Sequence, residues 1–435
     1  MRDLNRLEAS EEQFVPERKT LVIQSAVLFL FFFPLFFQLS GSIFDNVGMY
    51  FDSKGQLTKL PIPIATIFCF IGIGLLLRLS SSHFGMGFVF SIFIAMFFSV
   101  LLSVVSVGKE ELAKFILMIQ FILPMFGLVL GMLYIRPQNE YLRFEAITLY
   151  VLLLVIPGEV IATLMSGNAL LSPSLYIFSL YQHLQYLPVI FVGFYFLSVV
   201  SLYESKYLRY LTIFLAPFIG VYIAASLSVL AILLAGIASL ATVFMLASQR
   251  RKGFCFLVIA LLWGGFTAYY PAIQSNPTYK AKFKVEQVEQ VEQVGFISLL
   301  PANLRERIYY WEFYGKGIFE SPKIFVFGHS KRPDRNSYPS AHNYYLDLIY
   351  HFGVISLLPF FYLIFQTIKK CGKAIPSHFS CLGFMMLMLL VSFYIFADNS
   401  LKVAFRQPYP GMMMFFLWGV LLVRLSEYEN EIKAC

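Results

Sequence analysis

The sequence predicts an all-α polytopic membrane protein of about twelve transmembrane helices, with one long loop on the outer face. Hydrophobic residues make up 58% of the 435 and charged residues only 13%, where a soluble domain carries about a quarter charged. Apolar runs of roughly 20 residues, the length that crosses about 30 Å of hydrocarbon as a helix, recur along the chain. Between the last two groups of runs lies one long polar interval, residues 274–345.

The chain opens on a charged tail, residues 1–20, in which Arg2, Arg6, Arg18 and Lys19 mix with acids. It reads as a short cytoplasmic lead. Leu21 to Ser40 is the first span; its apolar part is longer than that of a cleavable signal peptide and lacks a convincing small-x-small site. Further spans are expected at 61–79, 84–107, 111–135, 145–167, 185–203, 207–224, 226–247 and 254–273, completing nine helices across 21–273. Three more, at 346–368, 379–397 and 408–425, fill 346–425 and leave a short tail, 426–435.

Lys and Arg fix the expected orientation, because cytoplasmic loops hold the excess of them. With the N-terminus inside, the inner segments hold Arg78, Arg136, Arg143, Lys206, Arg209, Arg250, Arg251, Lys252, Lys369, Lys370, Lys373 and Arg424. The short outer loops are poorer, with Lys54, Lys59, Lys109, Lys114, Lys402 and Arg406. Both termini are therefore expected inside and the 274–345 loop outside, in the periplasm if the cell is a bacterium. The same bias explains the net charge of +8, which accordingly does not argue for a nucleic-acid partner.

No cysteine falls in the long loop, so a disulfide framework is excluded there. No Cys/His spacing of the zinc type occurs either. The loop begins with Lys280, Lys282 and Lys284, and three repeats of Val-Glu-Gln follow from Val285. A three-residue period drifts about 60° per repeat around a helix, so the valines make no stripe and the segment reads as a tolerated surface insert. Beyond it, Asn303 is an N-cap candidate for a helix through Leu304-Arg305-Glu306-Arg307-Ile308-Tyr309-Tyr310-Trp311. Arg307 and Trp311 stand one turn apart, which lets the indole buttress the guanidinium stem. Gly315, Gly317, Pro322 and Gly328 then break the helix, and the cationic run Lys331-Arg332-Pro333-Asp334-Arg335 follows. Ser340-Ala341-His342-Asn343-Tyr344-Tyr345-Leu346 closes the polar interval.

Arg307 to Trp311, Ser321-Pro322, Phe327-Gly328, His342-Asn343 and Gly353 together resemble the O-antigen polymerase and O-antigen ligase superfamily (Wzy and WaaL type). The number of spans and the position of the long loop extend that resemblance over most of the chain. It implies a GT-C-like fold and a metal-independent, inverting glycosyltransferase that uses a glycan carried on undecaprenyl diphosphate. Two positions depart from the family pattern. Ser356 stands where relatives have a glycine, and Ala225-Ser226-Leu227-Ser228-Val229 lacks the Arg that many relatives carry near the outer end of a middle helix. Arg305, Arg335 or Arg406 would have to stand in for it.

The chemistry of such a transfer is intelligible from residue types. The acceptor hydroxyl loses a proton as it attacks the anomeric carbon, and a neutral His, His342, suits a base working near neutral pH. The leaving diphosphate gains negative charge, which the fork of an Arg matches. Arg307, Arg305, Arg332, Arg335 and Arg406 are the candidate ligands, with Asn343 and Tyr344 as candidate substrate contacts. Tyr309, Tyr310, Tyr344 and Tyr345 read as an interfacial belt or as sugar-stacking rings. If residues 342 onward are helical, Gly353 lies beneath His342 on one face and His351 on the opposite one.

The expected activity is a surface-polysaccharide polymerase that passes the glycan to the next lipid-linked repeat unit. The alternative is a ligase that passes it to lipid A-core. No cofactor or metal is expected; the partners are the bilayer, the undecaprenyl-diphosphate-linked oligosaccharide and a chain-length regulator protein. The expected place is a bacterial inner membrane, with the site facing the periplasm. Pro157-Gly158-Glu159, an acid beside a helix breaker inside a predicted span, is the feature that favours a transporter instead.

Overall fold

The computed structural model describes residues 18–35, 64–77, 83–107, 112–135, 144–171, 186–246, 252–277, 279–280, 302–330, 333, 337–338, 340–374 and 382–434. The Val-Glu-Gln repeat, Arg332 and Arg335 lie outside them, as does most of the N-terminal tail. The described residues contain no strand. They form an all-α, multi-pass membrane architecture, as composition requires.

Among the described residues ten helices precede the long loop: α1 (Arg18–Phe32), α2 (Ile64–Leu76), α3 (His83–Val107), α4 (Leu112–Ile122), α5 (Phe126–Ile135), α6 (Phe144–Met165), α7 (Leu187–Ser201), α8 (Lys206–Ser226), α9 (Val229–Leu246) and α10 (Lys252–Gln274). The loop itself contributes α11 (Ala302–Ile318) and α12 (Pro322–Phe327). Then come α13 (Tyr344–Phe352), α14 (Val354–Ala374), α15 (Leu382–Phe393) and α16 (Pro408–Ala434). Pro124 bends α4 into α5 through a single 3-10 turn, so the two make one span, Lys114–Ile135.

Among the described residues nine helical segments are long and apolar enough to cross a membrane. Three further apolar helices, Val22–Leu35, Ala65–Leu76 and Leu187–Ser201, are shorter. Each coincides with one of the expected runs. Pro157 does not break its span: α6 runs unbroken from Phe144 to Met165, with Glu159 buried. The interrupted helix expected there is absent.

The span expected at 346–368 needs correction. α13 ends at Gly353, whose φ is +78°, and the apolar span starts afresh at Val354. Gly328, with φ +77°, ends α12 in the same way. The two backbones cross so closely that a Cβ on Gly353 would stand 2.0 Å from the Val326 carbonyl oxygen, and one on Gly328 would stand 2.4 Å from the His351 carbonyl carbon. Glycine alone supplies both the positive φ and the missing side chain. His342 and Gly353 therefore do not share a helical face; His342 precedes the helix and Gly353 terminates it.

The bundle is centred on α16, whose residues from Tyr409 to Val423 are almost entirely buried. Its backbone meets α5 where only small residues allow it. Cβ atoms on Gly127 and Gly131 would fall 2.2 and 2.1 Å from the carbonyl oxygens of Met412 and Phe416. Spacing of four puts both on one side of α5, the small-xxx-small arrangement that brings apolar helices together when hydrophobic burial cannot. At one end of the bundle Arg424 donates to Glu145 at 2.9 Å and Ser198 Oγ to the Glu145 carbonyl at 2.9 Å. The opposite end gathers the loop helices α11 to α13.

Candidate active site

The site is built where α13, α11 and the irregular end of α15 meet. Asn343 caps α13: its Oδ1 accepts from the N–H groups of Tyr345 and Leu346, each at 3.0 Å. A short polar side chain at an N-cap satisfies amides that otherwise have no partner. One turn into α13, Asp347 reaches back, and its Oδ1 accepts from the Ala341 N–H at 3.2 Å. These bonds bracket His342 and hold it at φ +48°, in the left-handed region. Such a conformation costs about 1–3 kcal/mol in a residue with a side chain and recurs at functional sites.

The His342 ring stacks on Tyr310, with centroids 5.8 Å apart and planes 22° from parallel. No described side chain or backbone group hydrogen-bonds to its ring nitrogens. Burial, then the positive charges of Arg307 and Arg406, push its pKa below the usual histidine value, while Glu306 and Asp347 oppose them. The imidazole is therefore neutral at neutral pH. Tyr310 donates to Glu306 at 2.7 Å, and that bond, followed by burial, pushes the phenol up to about 12. Tyr310 is consequently an uncharged support.

Arg307 and Arg406, far apart in sequence, converge on this place. Arg307 donates through Nη1 to the Leu401 carbonyl at 2.7 Å, which one of its five donors can do without exhausting the rest. Arg406 pairs with Asp347 and lies over the Phe121 ring at 5.6 Å. Asp347 is fully buried. His351, expected on the far side of the helix, also stands near it, with Nε2 3.9 Å from Asp347 Oδ1.

Other expected contacts do not assemble. Arg305 lies two residues from Arg307, roughly 200° around α11, and so on the opposite face. Tyr344 is fully buried among Phe121, Phe360 and Phe405; it is a packing residue and presents no surface to a sugar. Asn343 serves as a helix cap. Trp311 Nε1 is buried without a hydrogen-bond partner. Tyr309 is 55% exposed and its hydroxyl lies 2.7 Å from that of Tyr338, which keeps it available as an outer ring.

Two ionisable residues here are not among the expected site residues. Asp398 ends a five-residue π-helical turn, Tyr394–Asp398, and is fully buried with neither carboxylate oxygen hydrogen-bonded. Lys402 Nζ, itself buried, stands 3.9 Å from Asp398 Oδ1 and 5.6 Å from the centre of the Tyr186 ring. A π-turn is a known mark of functional helices. The available signal was an acid at the outer end of an apolar run with a lysine four residues on.

Comparison with protein-family models, curated proteins and solved structures gave no match.

Among the described residues no group of three or more His, Cys, Asp or Glu side chains could hold a metal ion. What the site offers instead is one neutral imidazole with open ring nitrogens, under the charge of two guanidinium groups, Arg307 and Arg406. That arrangement can accept a proton from a neutral nucleophile and stabilise negative charge developing a few ångströms away.

Proposed function

We propose that the chain is a membrane glycosyltransferase that extends a surface polysaccharide, transferring a glycan from undecaprenyl diphosphate to the next lipid-linked repeat unit. The observation that carries this reading is the His342 ring: neutral, open at its nitrogens and set beside Arg307 and Arg406. In the reaction a hydroxyl of the acceptor sugar gives its proton to His342 as its oxygen attacks the anomeric carbon of the donor. The new C–O bond forms as the bond from that carbon to the diphosphate oxygen breaks. The electron pair leaves on the diphosphate, whose charge Arg307 meets, with Arg406 in support. Attack from the face opposite the leaving group inverts the anomeric centre, and the imidazolium then returns its proton to water.

The Lys and Arg bias of the connecting segments supports an orientation with both termini in the cytoplasm and the site at the outer face, and the proposed membrane is a bacterial inner membrane. The nine long helices and three shorter apolar ones among the described residues are compatible with about twelve passes and a GT-C-like plan. Arg406 is the best replacement for the Arg missing between Ala225 and Val229, because it is an outer-face Arg whose charge acts on His342. The chain-length regulator stays a proposed partner.

The test is the lipopolysaccharide banding of a strain lacking the gene. A single repeat in place of a ladder supports the polymerase. Bare lipid A-core, with full polymer held on undecaprenyl diphosphate, assigns the ligase acceptor instead. A normal ladder overturns both.

A further inference from the structure

The short helix α12 belongs by sequence to the long polar loop, yet its position is not that of a water-bathed loop. Ser99 Oγ, on α3, donates to the Phe327 carbonyl. Lys114 Nζ donates to the carbonyl of His329 at 2.9 Å and to Ser103 Oγ at 2.7 Å. These bonds pin the end of α12 beside Ser99. Ser99 lies six residues inside Val105, the outer limit of the apolar span Phe84–Val105, a depth of about 9 Å along the helix.

The two aromatic rings next to this anchor are not covered by protein. Phe319 is 75% exposed and Phe325 36% exposed, and they stack with centroids 5.6 Å apart. At the same end of α3, Leu101, Val104 and Val105 are exposed as well, on the side of the helix turned away from Ser99 and Ser103. The backbone suits a dry setting. Ser321 Oγ caps the helix by accepting from the Ile324 N–H at 3.2 Å, Pro322 has no N–H to satisfy, the Gly328 N–H donates to Ile324 at 2.7 Å, and that of His329 donates to Tyr350 at 2.8 Å. In hydrocarbon such internal satisfaction is what non-spanning backbone requires. Glu320 and Lys323, both exposed, stand between the two rings in sequence and set a shallow limit, with charge at the headgroups and rings below.

We infer that α12 is an interfacial helix that dips into the outer leaflet, with Phe319 and Phe325 seated among lipid acyl chains. The occupant of this apolar face is lipid. Through the Gly328–Gly353 crossing, the same helix ties the bilayer surface to α13 and hence to the Asn343 and Asp347 bracket. The inference does not depend on the transferase reading.

The test uses full-length protein carrying Phe325→Trp, reconstituted in phosphatidylcholine and phosphatidylglycerol vesicles with or without brominated acyl chains. Emission is taken against the unsubstituted protein, which contributes Trp263, Trp311 and Trp418. Phe319→Trp serves as the second variant and Glu312→Trp, on an exposed position of α11, as the aqueous control. The added emission at 325 and 319 should be strongly quenched by brominated lipid and little affected by aqueous acrylamide, the reverse of the pattern at 312. Acrylamide quenching at 325 and 319 with no effect of brominated lipid would place α12 in water and overturn the inference.

Discussion

Arg406 donates to Asp347 across 59 positions of sequence, and the same carboxylate accepts from the Ala341 N–H immediately before His342. One buried acid thus fixes the place of a cation and the backbone that presents the imidazole. Asp347→Asn keeps an acceptor for Ala341 but leaves Arg406 without its counter-charge. Removing one partner of a buried pair costs about 3–5 kcal/mol. Thermal unfolding in detergent should fall markedly, and transfer activity should fall with it; unchanged melting would show that the pair does not support the fold.

His342 accounts for the expected pH dependence. Its folded pKa is depressed by burial and by Arg307 and Arg406, so the proton-accepting form prevails above that depressed value and is lost as pH falls through it. Donor turnover should therefore plateau at neutral pH and decline on an acidic limb lying below the ordinary histidine value of about 6.5. An acidic limb lying above that value would contradict the assignment of burial as the dominant cause.

Arg307 is held by a bond to the Leu401 carbonyl and is proposed to face the leaving diphosphate. Arg307→Lys retains charge and loses the planar fork, which a compact ammonium cannot replace at a paired site. A rate loss of about 10²–10³-fold is expected, the size seen when one donor to a developing anion is removed. Arg305→Lys, on the opposite face of α11, should leave the rate within a few-fold of normal. Equal losses at the two positions would remove the distinction drawn between them.

Gly328 and Gly353 make a fold prediction independent of chemistry. Alanine at either meets an unfavourable φ, worth about 1–3 kcal/mol, and a backbone contact of 2.4 or 2.0 Å. Either variant should reduce the yield of folded protein and expose the loop to protease. Wild-type protease resistance in both would mean that the crossing tolerates a side chain.

The apolar runs were legible because a spanning helix needs length and hydropathy, and both are written locally. The break at Gly353 was not, since apolar residues continue on either side of it and the cause, the Val326 backbone, lies far earlier in the chain. His342, Arg307 and Arg406 could be nominated by chemical type. Their convergence rests on Asp347 and Leu401, which no local pattern links to them. Tyr344 was misplaced because a tyrosine suits an interface and a core equally; only the ring contacts with Phe121, Phe360 and Phe405 decide it. Asp398 and Lys402 were hidden in the boundary of an otherwise apolar run.

The most direct test of the central claim is transfer by purified, reconstituted protein supplied with a labelled undecaprenyl-diphosphate-linked repeat unit, comparing wild type with His342→Gln. Loss of a general base removes about 10²–10⁴-fold of rate. The account predicts a polymer ladder from wild type and almost none from the variant, with both proteins equally folded. A ladder built by His342→Gln at the wild-type rate would contradict it.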